Sequence, residues 1–184
     1  MGDLSVGKSS FIYRFIEDKF NSDQIPSTGF DLKTADLIID NKNIRIQLWD
    51  SAGQEKYNSI TKNLLLRVQG LIILFDLTNQ ETFDNLSKWI EIIKEHCGHT
   101  IPILFVGNKS DLEENRVVKK EDISRYVKKE KAKYIKTSCK TGDNIKKAVN
   151  IICKKIIYSS TLKRETSFSL EASSLVVDKK GKCC

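Results

Sequence analysis

Apolar and amphipathic segments alternate along most of this chain of 184 residues. Five segments have the pattern of β-strands, because they are apolar throughout or because apolar residues recur at every second position. These predicted strands are 34–40, 43–50, 70–78, 101–109 and 133–138. The first two flank a polar corner and predict a hairpin, while the two continuous apolar runs that follow are typical of a parallel sheet.

Four other segments have the apolar spacing of amphipathic helices. They are 8–17, 82–96, 120–130 and 143–158. On the second of them Trp89, Ile90 and Ile93 share one face, which indicates packing against a core and not a binding role. The alternation of strands and helices predicts an α/β fold. Its sheet is open and mostly parallel, has helices on both faces, and binds ligands at the carboxyl ends of its strands.

The composition, with 40% hydrophobic and 30% charged residues, is that of a single globular domain. The sequence has neither an apolar run of membrane-spanning length nor an N-terminal apolar signal core, which favours the cytosol. The net charge of +7 does not predict nucleic-acid binding, because the lysines of segments such as 119–133 are interleaved with acids. From 159 to 184 the periodicity stops, and the Ser- and Lys-rich composition predicts a flexible tail.

The segment 2–9 has the G-x-x-x-x-G-K-S spacing of a phosphate loop. Gly2 and Gly7 allow backbone angles that other side chains exclude, so that successive N–H groups turn toward phosphate oxygens. Lys8 brings a positive charge to the β- and γ-phosphates, and the Ser9 hydroxyl is suited to Mg²⁺. The helix that follows points its N-terminal dipole at the same anion. This loop predicts a nucleoside triphosphate but not its base.

The motif WDSAGQE at 49–55 follows a predicted strand and supplies groups for phosphate chemistry. Asp50 is suited to a Mg²⁺ site through a bound water. Gly53 allows a backbone N–H to approach the γ-phosphate, and Gln54 carries the donor and the acceptor that orient a water molecule.

The motif NKSD at 108–111 predicts the base. The Asp111 carboxylate only accepts hydrogen bonds, which matches the adjacent N1–H and N2–H₂ donors of guanine, whereas adenine presents an acceptor at N1. Asn108 is suited to tie the loops together, and the aliphatic part of Lys109 to cover the base. In TSCK at 137–140, the Cys139 N–H is suited to meet the guanine oxygen. An enzyme that uses ATP is therefore the disfavoured alternative.

With these four motifs in this order, the chain resembles a Ras-superfamily small GTPase and, within that superfamily, a Rab. The resemblance runs from Gly2 to about Tyr158 and adds the Cys-Cys ending. Its Rab-like stretches also include GFDLKT, LFDLTNQETFDNLSKW and VGNKSDL, and Ser5, IQLWD and TNQETF lean toward the Golgi-associated Rabs. The resemblance implies a P-loop NTPase fold, a GTP-binding domain over 1–158, a hypervariable tail over 159–184, and Mg²⁺-dependent hydrolysis of GTP to GDP. It also implies a switch in vesicle traffic that cycles between the cytosol and the cytoplasmic face of a membrane, either Golgi or vesicle.

Matching positions of the family pattern assigns site residues. Lys8 and Gln54 take the catalytic roles, and Phe20 stacks edgewise on guanine. The Mg²⁺ ligands are Ser9 and Ser27, with Asp50 acting through water. The nucleotide-binding residues implied in this way are Gly2, Asp3, Leu4, Ser5, Val6, Gly7, Lys8, Ser9, Ser10, Phe20, Ser27, Gly53, Asn108, Lys109, Asp111, Ser138, Cys139 and Lys140.

Cys183 and Cys184 form an adjacent terminal pair, unlike Cys97, Cys139 and Cys153, whose isolated positions indicate packing residues. In prenylated Rabs such a pair carries two geranylgeranyl groups, and two lipids anchor a protein stably where one does not. Nearby lysines favour anionic lipid. The implied partners are GTP and GDP, the membrane, an exchange factor, a GTPase-activating protein, effectors and a GDP-dissociation inhibitor, without nucleic acid.

The chain departs from the Rab pattern in both switch segments. Ser27 stands at the Mg²⁺-binding threonine of switch I, with Thr28 as the alternative one residue later. The segment 64–68, Leu-Leu-Leu-Arg-Val, replaces an aromatic switch II sequence, and Leu32 replaces an aromatic residue of switch I. Leu4 stands beside the γ-phosphate and either slows hydrolysis or faces solvent. A switch-dead or truncated domain that serves only as an interaction module is the alternative function.

A further departure concerns the strand that leads into the phosphate loop in this family. That strand lies in the middle of the sheet, between the strands that end near Asp50 and Phe75, and here only Met1 precedes Gly2. Without it, the neighbouring strands lose ladder partners at a cost of about 1–3 kcal/mol for each bare buried group. We expect the sequence to be an N-terminally truncated copy of a longer working protein, poorly soluble or weak in GTP binding as written.

Overall fold

The computed structural model describes residues 1–22, 31–50, 63–97 and 101–173, with side chains as far as 159. The predicted strands and helices are present in these residues. The strands are β1 (Asp31–Ile39), β2 (Lys42–Asp50), β3 (Leu71–Asp76), β4 (Ile103–Asn108) and β5 (Lys133–Lys136). The helices are α1 (Lys8–Glu17), α2 (Gln80–Asp84), α3 (Leu86–His96), α4 (Lys120–Lys129) and α5 (Ile145–Ser173), with a 3₁₀ turn at Glu113–Asn115.

The strands form two sheets. β1 and β2 make an antiparallel hairpin in which Leu37 pairs with Ile44 and Leu32 with Trp49. β3, β4 and β5 make a parallel sheet in that order. The α/β class with a mostly parallel sheet is confirmed. Among the described residues, no ladder joins the hairpin to β3, so the hairpin and the parallel sheet are separate.

The first two residues of the chain pair with β3. Gly2 forms a parallel bridge with Leu74, whose N–H donates to the Met1 carbonyl at 2.8 Å. The Met1 ammonium donates to the Ile72 carbonyl, also at 2.8 Å. Since β4 occupies the other edge of β3, this contact places the start of the phosphate loop on the edge that faces away from β4.

Two apolar clusters cover opposite faces of the parallel sheet. Because side chains alternate along a strand, Leu74 and Val106 belong to one cluster and Ile73 and Phe105 to the other. α1 and α5 pack on the first face, and α3 and α4 on the second. Trp89 is fully buried in the second cluster. The expected helices on both faces and the core position of Trp89 are therefore confirmed.

Two helices differ from their predicted bounds. The segment 82–96 is two helices that meet at Asn85, whose backbone still accepts the Trp89 N–H at 3.2 Å. α5 continues to Ser173, past the expected end at 158. Its residues Ile156 and Ile157 pack against the first cluster. The division of the chain at 158 stays a prediction, and residues 174–184 lie outside the described residues.

Within the described parts of the chain, none of the helices combines the length and the apolar character that a membrane span requires.

The backbone approach at Gly2 yields a stability prediction. Its φ is +139°, and a Cβ there would lie 2.2 Å from the Leu74 carbonyl oxygen. Gly2→Ala therefore breaks the bridge to β3 as well as straining the backbone. We expect it to lower the free energy of unfolding by about 2 kcal/mol or more. Urea unfolding followed by circular dichroism measures the loss.

Gly142→Ala is the matched control for Gly2→Ala. Its φ is +88°, but the nearest atom to an added Cβ lies 3.8 Å away, in Arg14. This variant adds backbone strain without a steric clash, and we expect it to cost about 1 kcal/mol. Equal losses in the two variants would show that the close approach to Leu74 contributes nothing.

Candidate functional site

The phosphate loop turns sharply into α1. Ser5 has a φ of +61° and Gly7 a φ of +97°, both in the left-handed region. A Cβ at Gly7 would lie 2.4 Å from the Asn108 Nδ2, so glycine is required where the loop passes this side chain. The turn places the loop in front of the N-terminus of α1, where N–H groups and the helix dipole favour an anion.

Lys8 is held inside the loop. Its side chain is buried, with 8% exposure, and its Nζ donates to the carbonyls of Gly2 at 3.0 Å and Asp3 at 2.9 Å. These carbonyls are neutral acceptors, and phosphate oxygens are charged ones that form stronger hydrogen bonds with an ammonium group. The ammonium group therefore has the position and the exchangeable partners that phosphate binding needs.

The carboxylate of Asp3 contacts the junction of α2 and α3. Its Oδ2 accepts from the Asn85 Nδ2 at 2.6 Å, and its Oδ1 from the Trp89 Nε1 at 2.8 Å. Sequence reasoning assigned Trp89 to the core alone and missed this contact. One signal was available, because a carboxylate in an anion-binding loop calls for donors of its own.

Leu4 follows Asp3 and is half exposed, at 50% of its surface. This agrees with the solvent-facing alternative for its side chain. Its effect on hydrolysis stays a prediction.

Asn108 joins the phosphate loop to the TSCK loop (137–140). Its Nδ2 donates to the Val6 carbonyl at 2.9 Å. Its Oδ1 accepts from the Thr137 hydroxyl and from the Cys139 N–H, each at 3.3 Å. The residue is almost fully buried, with 2% exposure. The expectation that Asn108 ties the loops together is confirmed, and the Cys139 N–H that was expected to meet guanine contacts Asn108 here.

Asp111 and Lys109 are each held by a neighbour. The Ser138 hydroxyl donates to the Asp111 Oδ1 at 2.5 Å. The Lys109 Nζ lies 2.6 Å from the Asp76 Oδ2, and Lys109 itself has a φ of +65°. The ion pair with Asp76 holds the end of the Lys109 side chain, and this also fixes the direction of the aliphatic part of that side chain.

Arg14 is a site residue that sequence reasoning missed. From α1 its guanidinium donates to the Cys139 carbonyl at 2.7 Å and to the Lys140 carbonyl. This contact fixes the TSCK loop from the outside, while Asn108 fixes it from within. Burial raises the pKa of the Cys139 thiol to about 11, although its bond to Asn108 opposes the shift. The thiol is therefore neutral and unreactive at physiological pH.

Two of the expected Mg²⁺-binding residues, Ser9 and Asp50, lie in the part of the chain that the structure describes. Ser9 lies in the first turn of α1, and Asp50 is buried at the end of β2 with 8% exposure. Hydroxyl and carboxylate oxygens are the ligands Mg²⁺ prefers, and it commonly uses one or two protein ligands beside phosphates and waters. No group of three or more His, Cys, Asp or Glu that could hold a metal occurs in the described residues. Among the residues that the structure describes, Ser9 and Asp50 carry oxygen atoms of the kind that Mg²⁺ binds.

Several expected site residues lie outside the described residues. They are Ser27, its alternative Thr28, Gly53, Gln54, Cys183 and Cys184. Phe20 is described, just after α1, with 40% exposure, and its stacking on guanine stays a prediction. Near the switch segments Leu32 and Trp49 are cross-strand partners with 40% and 44% exposure, whereas Leu65 is buried with 2%.

Comparison with known proteins agrees with this geometry. The family model described as Ras family matches residues 1–158. Ras-related protein Rab-13 of Rattus norvegicus is 34% identical over 182 residues, which cover 98% of this chain and 90% of the relative. GTP-binding protein ypt3 of Schizosaccharomyces pombe is 35% identical over 156 residues, 85% of this chain and 73% of the relative. Ras-related protein RABA4b of Arabidopsis thaliana is 35% identical over 156 residues, 85% and 70% of the two chains. The chain belongs to the Ras family and, within it, to the Rab small GTPases.

Proposed function

We propose that the protein is a Rab-like GTP/GDP switch, a GTPase that acts in intracellular vesicle traffic. Asn108 carries the proposal, since its side chain bonds to the phosphate loop through Val6 and to the TSCK loop through Cys139. It thereby sets a phosphate-binding loop beside the carboxylate of Asp111. A site with both parts recognises a triphosphate and a guanine in one ligand.

Hydrolysis moves the γ-phosphoryl group from GTP to water. The water oxygen forms a bond to the γ-phosphorus, the bond from that phosphorus to the β,γ-bridging oxygen breaks, and GDP leaves with the electron pair. The protons of the water end on the products. Gln54 orients the water, and Lys8 donates to the β- and γ-phosphate oxygens on which negative charge develops. Ser9 and Ser27 would hold Mg²⁺, with Asp50 acting through water, and the bound ion would supply further charge neutralisation.

Arg14, on the helix that follows the phosphate loop, donates to the carbonyls of Cys139 and Lys140. A GTPase-activating protein that supplies an arginine in trans would add positive charge at the phosphates and speed hydrolysis. An exchange factor, effectors and a GDP-dissociation inhibitor complete the partners that a Rab requires.

Nucleotide content tests the proposal against its rivals. The purified chain is denatured and the released nucleotide is identified by chromatography, before and after incubation with GTP and Mg²⁺. We expect the bound nucleotide to be GDP or GTP, in less than equal amount to protein because the sequence predicts weak GTP binding for the chain as written. An adenine nucleotide would favour an ATP-using enzyme, and a chain that binds no nucleotide in either state would be only an interaction module.

We also propose that the C-terminus attaches the protein to a membrane. Geranylgeranyl groups on Cys183 and Cys184 would anchor the chain to the cytoplasmic face of an intracellular membrane, Golgi or vesicle. The sequence supports this because Lys179, Lys180 and Lys182 adjoin the cysteine pair. Basic residues beside a lipid anchor add attraction to anionic lipid.

Base choice is predicted to depend on Asp111. Asp111→Asn replaces one carboxylate oxygen with an NH₂. One donor of guanine then loses its acceptor on the protein, whereas the oxygen that xanthine carries at the same place gains a donor. We expect GTP affinity to fall by about tenfold or more and xanthosine triphosphate to gain relative to it. Competition titration with both nucleotides measures the preference.

Asp122→Asn is the control for base choice, because it removes a carboxylate that faces Arg125 on the surface of α4. This variant should keep the parent preference. An unchanged preference for GTP in Asp111→Asn would remove Asp111 from the base site.

Hydrolysis is predicted to be slowed by Leu4. The Rab pattern sets Leu4 near the γ-phosphate, where Gln54 would orient the attacking water, and a displacement of about 1 Å there would cost on the order of 100-fold. Leu4→Gly should therefore hydrolyse GTP faster in single turnover, with Leu4→Ala between it and the parent. Equal rates in all three proteins would assign Leu4 to solvent.

Attachment is predicted to need both terminal cysteines. Cys183→Ser together with Cys184→Ser should leave the protein cytosolic, and either change alone should give partial or misdirected attachment. Fluorescence imaging and membrane fractionation measure the distribution. Cys97→Ser removes a cysteine remote from the terminus and should not alter it. Full membrane retention of the double variant would place the anchor elsewhere.

A further inference from the structure

The phosphate loop contains a carboxylate at its second position. Asp3 directly follows Gly2, and its own carbonyl accepts the Lys8 Nζ at 2.9 Å. A carboxylate turned toward bound phosphates would repel them, because like charges within about 4–6 Å disfavour each other's ionised form. The direction of this side chain therefore bears directly on anion binding.

The side chain is held away from the loop by two donors. The Asn85 Nδ2 lies 2.6 Å from the Asp3 Oδ2, and the Trp89 Nε1 lies 2.8 Å from the Oδ1. Each oxygen thus has a donor of its own, at the short distances of charge-assisted hydrogen bonds. Trp89 is fully buried and Asn85 is 8% exposed, so both donors are fixed by packing.

Helical geometry brings the two donors together. Asn85 and Trp89 are four residues apart, and the Trp89 N–H donates to the Asn85 carbonyl at 3.2 Å. Residues at this spacing lie one above the other on a helix. The break between α2 and α3 falls at Asn85, and α3 then packs in the cluster that contains Trp89. A rigid helix end therefore presents a matched pair of N–H groups to one carboxylate.

We propose that Asp3 is a positioning residue for the phosphate loop, acting through Asn85 and Trp89. Its carboxylate ties the loop to the start of α3, and this tie keeps the Gly2 and Asp3 carbonyls where they hold Lys8. It also directs a negative charge away from the phosphates. The proposal rests on the proposed function, since it assigns how the same loop retains a nucleotide.

Reversing the polarity of the contact tests the proposal. Asp3→Asn turns an NH₂ toward one of the two donors, and Asn85→Asp sets two carboxylates against each other. In the double variant, the amide at position 3 donates to the carboxylate at position 85 and accepts from Trp89. Both hydrogen bonds are then restored with the same atom count and the same net charge as in the parent.

The readout is the dissociation rate of fluorescently labelled GDP, chased with unlabelled GDP in the presence of Mg²⁺. We expect each single variant to release GDP about tenfold faster or more, and the double variant to return to within about threefold of the parent. A parent rate in Asp3→Asn, or a double variant as fast as the faster single variant, would overturn the proposal.

Ile93→Val is the control for a general loosening of α3. Ile93 is buried on the same helix with 4% exposure and belongs to the same cluster as Trp89. We expect this variant to lose stability in urea while keeping the parent dissociation rate. If it released GDP as fast as Asp3→Asn, the effect would belong to the stability of the helix and not to the tie.

Trp89 fluorescence provides a second measurement that needs no nucleotide. The chain has two tryptophans, so Trp49→Phe leaves Trp89 as the single emitter. In that background, Asp3→Asn should shift the emission of Trp89 and the double variant should restore it. If the emission of Trp89 were the same in the parent, in Asp3→Asn and in the double variant, the contact between Asp3 and Trp89 would be refuted. A parent that binds no guanine nucleotide would instead refute the proposed function, and the emission would still report on the contact.

Discussion

The buried amide of Asn108 is the interaction on which the site depends. It is the only described side chain that bonds to both the Val6 carbonyl of the phosphate loop and the Cys139 N–H of the TSCK loop. Those loops are irregular, so no ladder of backbone hydrogen bonds fixes the distance between them. An amide that donates on one side and accepts on the other can satisfy both loops at once. Its loss would leave buried polar groups without partners, which costs about 1–3 kcal/mol for each.

The same principle extends to the rest of the site. Arg14 holds the TSCK loop by its carbonyls, and Asp3 holds the phosphate loop by its carboxylate. In each case a side chain from a helix or a loop end reaches across the carboxyl edge of the sheet. The parallel strands bring the loops to one edge, and these side chains fix their geometry there. Positions such as Gly7, where a Cβ would meet Asn108 at 2.4 Å, show how closely the loops approach one another.

The positions of the strands, the buried faces of the helices and the edge of the sheet at which the motifs meet could all be predicted from the sequence. Continuous apolar runs such as β4 could be recognised because both faces of that strand are buried. The contacts of Asp3 with Asn85 and Trp89 could not, because they join positions 82 and 86 residues apart, for which spacing gives no register. Arg14 contacts Cys139 across 125 residues and was missed for the same reason. The extent of α5 was missed because its last residues carry no apolar pattern to mark an end.

The carboxylates of the site explain how it admits a triphosphate despite its acids. Asp76 is paired with Lys109, Asp111 accepts from Ser138, and Asp3 accepts from Asn85 and Trp89. The donor decides what each acid is available to do. A serine hydroxyl rotates about a single bond, so Ser138 can yield Asp111 to the donors of a guanine. The Trp89 Nε1 belongs to a fully buried ring and cannot turn aside without unpacking the core. Asp111 is therefore an acid held ready for a ligand, whereas Asp3 is an acid kept away from one.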